Sequence, residues 1–125
     1  MADGVKIANY RDLQVWQKAM GVAEHIYRIT ESFPKHQLYG LTSQMQRAVV
    51  SICSNIAEGH NRRSTKEFLY FIRIAQGSLA ELETQLLLSH RFNYVNKADL
   101  DIILTESTSI GKMLWAMSVK LNAKL

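Results

Sequence analysis

The sequence predicts an all-α protein, an antiparallel up-down-up-down four-helix bundle. Three observations indicate this fold. Apolar residues recur every three or four positions through four long segments, capping residues and short loops separate these segments, and one proline and six glycines leave few turns for an all-β domain. With 47% hydrophobic residues, the 125 residues can bury one small core. We therefore expect a single domain over residues 1–125, with a loose lead-in at residues 1–10.

The first predicted helix begins near Arg11 or Asp12 and carries two apolar stripes. The first stripe consists of Leu13, Trp16, Met20, Ala23 and Tyr27, and the second consists of Val15, Ala19, Val22, Ile26 and Ile29. Both stripes have the spacing of a helical face. A peripheral helix of an isolated bundle needs only one stripe. The surplus therefore predicts a subunit interface and a homo-oligomer.

The second predicted helix, from Ser43 to Gly59, is the element against which the others pack. Its apolar face has helical spacing and consists of Met45, Val49, Ile52 and Ile56. Ser43 and Gln46 match a capping box, with Thr42 as the alternative cap. Gly59 is expected to end the helix in a left-handed conformation. The opposite face carries Gln44, Arg47, Ser51, Asn55 and Glu58, and is either a solvated face or one that a neighbouring element approaches closely.

The third and fourth helices have clear starts. Ser64 and Glu67 form a second capping box, so the third helix should begin at Thr65, and Asn96 can cap the fourth. The third helix has a regular apolar seam formed by Phe68, Ile72, Ala75, Leu79, Leu82 and Leu86. Gly77-Ser78 lies in mid-helix, where a glycine costs roughly 1 kcal/mol of helix propensity. Either Ser51 and Asn55 of the second helix approach it closely, or the glycine is tolerated without a packing role.

The sequence contains no recognisable catalytic or metal-binding pattern. His25, His36, His60 and His90 are scattered, and the Glu-x-x-His pairs of di-iron bundles are absent. There is neither a Gly-rich phosphate loop nor a GxSxG motif. We expect no enzymatic activity, no catalytic residue, no metal and no cofactor.

The cysteine content and hydropathy bear on the compartment. The single cysteine, Cys53, falls on the apolar face of the second helix, where it is best explained as a small buried residue. No signal peptide and no long apolar run are recognisable. We therefore expect a cytoplasmic protein without membrane contact.

Asn55 and Glu58 are the most suggestive polar pair because they share one face of the second helix. They could form a polar pocket. The favoured interpretation is structural: Asn55 bonds to backbone at a crowded contact, and Glu58 pairs with Arg62 four residues later. Together with Ser51, Gly77 and Ser78, these two residues are the predicted helix-packing or interface set.

The basic residues are concentrated in one part of the chain. The formal net charge is +4, and the segment 35–73 accounts for all of it. The candidate nucleic-acid-binding residues in this segment are Arg47, Arg62, Arg63, Lys66 and Arg73. Clustered cations bind phosphate, and Tyr70 and His60 are close enough in sequence to stack on bases. The alternative is a solvated basic rim without a ligand.

Several motifs together carry a family resemblance. They are LQVWQKA, SFPKHQLYGLTSQ, SICSNIAEG and EFLYFIRIAQGSLAELE. With these motifs the chain resembles, from about Tyr10 to about Tyr94, the small four-helix bundle proteins encoded by intervening sequences in bacterial 23S ribosomal RNA genes. The resemblance implies a protein without established enzymatic activity and a ring-like homo-oligomer, a homopentamer in known members. It also implies contact with RNA or DNA, as in the related accessory proteins of diversity-generating retroelements.

Two functional hypotheses follow. The first is an oligomeric scaffold that binds RNA or DNA through the basic surface around the loop between the second and third helices. The alternative is a protein-binding adaptor without nucleic-acid contact, for example for a reverse transcriptase. An exposed basic patch favours the scaffold, and an exposed apolar groove favours the adaptor.

Overall fold

The computed structural model describes residues 9–125 and shows four long helices in this range, with no strand. A 3-10 turn at Tyr10–Asp12 precedes α1 (Gln14–Thr30), α2 (Ser43–Asn61), α3 (Thr65–Arg91) and α4 (Lys97–Ala123). Of the expected lead-in, residues 1–8 lie outside the described range. Asn9 accepts a hydrogen bond from the Arg11 N–H and so caps the first turn.

The helices form a four-helix bundle in which neighbours in sequence are neighbours in space. Helices α2 and α3 are antiparallel. Gly59, near the end of α2, lies against Phe68 and Phe71, whereas the earlier Ser51 bonds to the later Ser78. Helices α1 and α4 are also antiparallel, since Lys18 pairs with Glu106 and the later His25 pairs with the earlier Asp99. Phe33 and Tyr94, with ring centroids 5.5 Å apart, join the α1–α2 and α3–α4 connections at one end.

The core contains the apolar faces predicted for α2 and α3, one of the two stripes predicted for α1, and a face of α4 formed by Leu100, Ile103, Ile110 and Leu114. On α1 the second predicted stripe is buried throughout. On α2 and α3 the predicted faces are buried except for Phe68, which is half-buried against the core. The largest fully buried side chains are Ile26, Met45, Ile52, Ile56, Ile72, Leu82, Leu86, Ile103, Ile110 and Leu114.

The surplus stripe of α1 divides between core and surface. Leu13, Trp16 and Ala23 are half-buried and pack against the core, whereas Met20 and Tyr27 are 40% and 45% exposed. The helix also starts later than predicted, at Gln14, because residues 10–12 form the separate 3-10 turn. Part of the apolar surplus therefore remains on the surface of one chain.

Two of the predicted helix caps are confirmed and one is wrong. Ser64 accepts from the Glu67 N–H and Asn96 from the Asp99 N–H, as predicted. At α2 no side chain caps the first turn, because a helical turn at Leu38–Thr42 runs directly into the helix. The cap has moved upstream to Gln37, whose side chain accepts from the Leu41 N–H.

The predicted role of Gly59 as a helix stop is also wrong. α2 continues to Asn61, and Gly59 is buried within it. A Cβ atom there would lie 2.7 Å from the Cβ of Phe71 and 3.0 Å from the Cδ1 of Phe68. The glycine thus permits the close approach of α3. The left-handed residue in this connection is Arg63, with a φ of 61°.

Among the described helices, none has the length and apolar character needed to cross a membrane.

Candidate nucleic-acid interface

The turn between α2 and α3 presents Arg63 at the start of α3. Arg63 is exposed and left-handed, and Ser64 then extends the chain into the capped helix. Arg63, Ser64 and Thr65 line a shallow cavity of about 270 Å³, together with Lys124 from the end of α4. Because the first N–H groups of a helix attract anions, the charge on Arg63 adds to a local positive potential.

Arg62 is already occupied by contacts within the chain. Its Nη2 lies 2.9 Å from the Glu58 carboxylate and its Nη1 lies 3.7 Å from that of Glu67. The guanidinium also sits over the ring of Phe71, 5.2 Å from the centroid. The predicted Glu58–Arg62 pair is therefore present. Since two carboxylates compete for this side chain, Arg62 is the least available of the five predicted cations.

The outer face of α3 carries a row of two cations and an aromatic ring. Lys66, Tyr70 and Arg73 follow at intervals of four and three residues, so they share one helical face. All three are exposed, Tyr70 by 62%. The Tyr70 ring packs nearly perpendicular to that of Phe71, with centroids 5.2 Å apart. Within residues 9–125, no ion pair involves Lys66 or Arg73.

Arg47 lies apart from the other cations. It is on α2, 15 residues before Arg62, which directly follows the helix, a separation of roughly 22 Å along the axis. Its neighbours are Gln44, Ala48, Ser51, Glu81 and Gln85, which together with Arg47 line a cavity of about 520 Å³ between α2 and α3. The five predicted residues therefore do not form one cluster.

The small polar residues of α2 and α3 meet as expected, except at Gly77. The Ser51 and Ser78 hydroxyls lie 2.8 Å apart, and Asn55 Nδ2 donates to the Ser51 carbonyl at 2.8 Å. Asn55 thus bonds to backbone, as the structural interpretation requires. However, a Cβ at Gly77 would meet no atom within 4 Å. Close approach of Ser51 and Asn55 to Gly77 within one chain is therefore wrong, because Gly77 points outward while Ser78 faces α2.

Buried reactive groups are few in the described part of the chain. Burial raises the pKa of the Cys53 thiol from 9.0 to about 11, which leaves it protonated and a poor nucleophile at neutral pH. No group of three or more His, Cys, Asp or Glu side chains between residues 9 and 125 is arranged to hold a metal ion. The buried Ser107 donates a short hydrogen bond to Glu83, and this pair joins α4 to α3.

Sequence reasoning missed Gln85. It is only 8% exposed, and its Oε1 is buried without a hydrogen-bond partner. A signal was available, because Gln85 follows Leu82 by three residues and precedes Ser89 by four, on the buried face of α3. A long amide on that face requires a partner.

Comparisons with known proteins agree with the fold. The family model for the 23S rRNA-intervening sequence protein matches residues 11–116. A crystal structure of a protein of unknown function from the S23 ribosomal protein family of Bacteroides thetaiotaomicron is also similar, with a TM-score of 0.75 and 26% sequence identity. The match covers 83% of the present chain and 97% of the other. None of the curated proteins compared with the chain matches it.

Proposed function

The chain belongs to the family of 23S rRNA-intervening sequence proteins, and on that premise we propose that it is a non-enzymatic, self-associating scaffold that binds RNA or DNA. Its nucleic-acid surface is the outer face of α3, formed by Lys66, Tyr70 and Arg73, with Arg63 beside it. Its assembly is a ring-like homo-oligomer, a pentamer according to the family resemblance. It has no catalytic site.

The observation that carries the proposal is the Lys66–Tyr70–Arg73 row. Lys66 and Arg73 are seven residues apart, about 10 Å along the helix, and Tyr70 lies between them on the same face. Cations bind phosphates irrespective of base sequence, and an exposed aromatic ring stacks on unpaired bases. Because neither cation has a carboxylate partner in the described part of the chain, both are available to a phosphate.

Self-association strengthens such a surface. One row offers only two cations, and the formal net charge of the chain is +4. In a closed ring each row is repeated in every subunit. Several weak contacts to one nucleic acid then act together, and the avidity exceeds the affinity of any single row.

The test is fluorescence anisotropy with a labelled single-stranded RNA and a DNA of the same sequence at low salt. We expect the wild type to bind and the double variant Lys66→Glu, Arg73→Glu to lose binding. The matched control is Lys112→Glu, Lys120→Glu on α4, which changes the net charge equally and should retain most of the affinity. Circular dichroism establishes that each variant is folded.

Two results would overturn the nucleic-acid part of the proposal. One is the absence of wild-type binding at low salt. The other is an equal loss of binding in the α3 and α4 variants, since that would reflect net charge rather than a site.

The adaptor alternative is favoured by a different surface. Trp115 and Val119 are 66% and 50% exposed on α4 and are one helical turn apart. A protein partner such as a reverse transcriptase encoded nearby would cover them. Co-expression with that enzyme tests this function: complex formation that Trp115→Glu abolishes and Lys66→Glu preserves would favour the adaptor.

A further inference from the structure

The outer side of the bundle has an open groove between α2 and α3. The α2–α3 groove, as we call it, is formed by two adjoining cavities of about 520 and 690 Å³ that share Gln44, Glu81 and Gln85. It extends along α3 from Ile74 to Leu88, a separation of fourteen positions and about 21 Å. This length suits a helix of about four turns rather than a small molecule.

The residues of the groove leave room for close approach. Gly77 lies in it with no atom within 4 Å of where a Cβ would be. Ala48, Ser51 and Ala80, also in the lining, are small. Small residues on a helix surface allow another helix to pack at short distance at those positions.

An unsatisfied polar group lies at the base of the groove. Gln85 is 92% buried and lines both cavities, and its Oε1 has no hydrogen-bond donor in the described structure. Leaving a buried acceptor unpaired is costly, and native structures rarely do so without a partner. The terminal amide torsion of glutamine is soft, so a small rotation can turn the oxygen towards an incoming donor.

The outer face of α1 has the complementary properties. It carries Met20, Glu24, Tyr27, Arg28 and Glu31, all exposed. Met20 and Tyr27 are the uncovered part of the surplus apolar stripe. The Tyr27 hydroxyl makes no hydrogen bond within the described residues and is a donor.

The charges of the two surfaces also match. Arg47 and Glu81 lie in the α2–α3 groove, and neither has an ion-pair partner among residues 9–125. Glu24 and Arg28, one turn apart on α1, are likewise unpaired in this range. Each surface thus offers one cation and one carboxylate that are free to pair with the opposite charge on a second copy.

We infer that the α2–α3 groove receives the outer face of α1 from a second copy of this chain, with the Tyr27 hydroxyl donating to Gln85 Oε1. Such a contact is heterologous, because each chain uses two different surfaces, and repeated contacts of this kind generate a closed ring or a filament. The inference rests on the self-association in the proposed function and names the surfaces that mediate it.

The test measures molar mass by light scattering after size-exclusion chromatography. Gly77→Leu places a side chain in the groove at a position where a Cβ has no neighbour within 4 Å, so the subunit should stay folded. Met20→Glu with Tyr27→Glu blocks the α1 face. We expect each variant to give the single-chain mass of 14.3 kDa, and an equimolar mixture to give twice that mass, because one intact α1 face then meets one intact groove. Trp115→Glu with Val119→Glu is the matched control and should keep the wild-type mass.

The outcomes separate the interface from assembly itself. A wild type of single-chain mass would overturn self-association and the inference together. An oligomeric wild type whose mass survives both blocking variants would overturn only the interface. If both variants dissociate but their mixture forms no dimer, or if only the groove variant dissociates, the pairing of α1 with the groove is wrong.

Tyr27→Phe adds a test of the hydrogen bond and should weaken assembly several-fold, whereas an unchanged dissociation constant would contradict the assignment of Gln85.

Discussion

A Cβ atom at Gly59 would lie 2.7 Å from the Cβ of Phe71. This approach occurs next to the turn that joins α2 to α3. Because the Cβ of Phe71 is tied to its backbone, it cannot move away as a flexible chain end would. The contact sets Phe68 and Phe71 of α3 against α2 and leaves Lys66 and Tyr70 exposed.

Gly59→Ala should therefore destabilise the fold. Alanine improves helix propensity by up to about 1 kcal/mol, but overpacking costs about 1–3 kcal/mol, so we expect a net loss of roughly 1 kcal/mol. Urea unfolding followed by circular dichroism measures it. Gly21→Ala is the control, since a Cβ there meets nothing within 4 Å, and it should be neutral or stabilising. Equal gains in both variants would disprove the close approach.

Arg62 should contribute to stability more than to nucleic-acid binding. Replacing it by Gln removes two partly exposed ion pairs and the contact with Phe71. We expect a loss of about 0.5–1 kcal/mol of unfolding free energy, with RNA affinity less affected than by Arg73→Gln. Parallel unfolding and anisotropy measurements compare the two variants. A larger loss of affinity for Arg62→Gln would show that its carboxylate partners release it to the ligand.

Because of Cys53, the free energy of unfolding should decrease as the pH rises in the alkaline range. Burial raises its pKa from 9.0 to about 11. As the pH rises, the thiol is therefore deprotonated in the unfolded chain at a lower pH than in the folded chain. Its contribution is fully present below pH 9 and is lost between about pH 9 and 11, at up to about 1.4 kcal/mol per pH unit. The difference in unfolding free energy between wild type and Cys53→Ala should shrink over this range. A pH-independent difference would indicate an unshifted thiol.

The apolar periodicity was sufficient to predict the bundle. The seam of α3 from Ile72 to Leu86 is buried as predicted, and of the two stripes predicted for α1 the second is buried, because burial of one helical face dominates the energetics of a small bundle. Local capping rules succeeded at Ser64 and Asn96, where the capping residue itself has an extended backbone. They failed at Ser43, because a helical turn precedes it and supplies the partners that a cap would have provided.

The candidate site was predictable in composition but not in arrangement. Sequence spacing identified the cations but could not show that Glu58 and Glu67 occupy Arg62 or that Arg47 lies far from the turn. Gly77 and Gly59 have the same local signal, a glycine in a helical segment. Only the packing of α3 decides that Gly59 is covered and Gly77 is open.

Tyr70 should govern the preference for unpaired bases. Tyr70→Ala removes a stacking surface worth about 1–3 kcal/mol, so we expect single-stranded RNA to bind roughly 5- to 150-fold more weakly, while a duplex of the same length is little affected. Tyr70→Phe keeps the ring and should retain affinity. Competition anisotropy with the two forms measures both effects. Equal losses for single strand and duplex would contradict stacking.

The salt dependence of RNA binding tests the central claim most directly. For single strands, the slope of log K against log salt concentration changes by about 0.7 for each phosphate contact. If Lys66 and Arg73 each neutralise one phosphate, the double variant Lys66→Gln, Arg73→Gln should have a slope smaller in magnitude by about 1.4, whereas Lys112→Gln, Lys120→Gln should match the wild type. A slope left unchanged by the α3 substitutions would show that this face does not contact the nucleic acid.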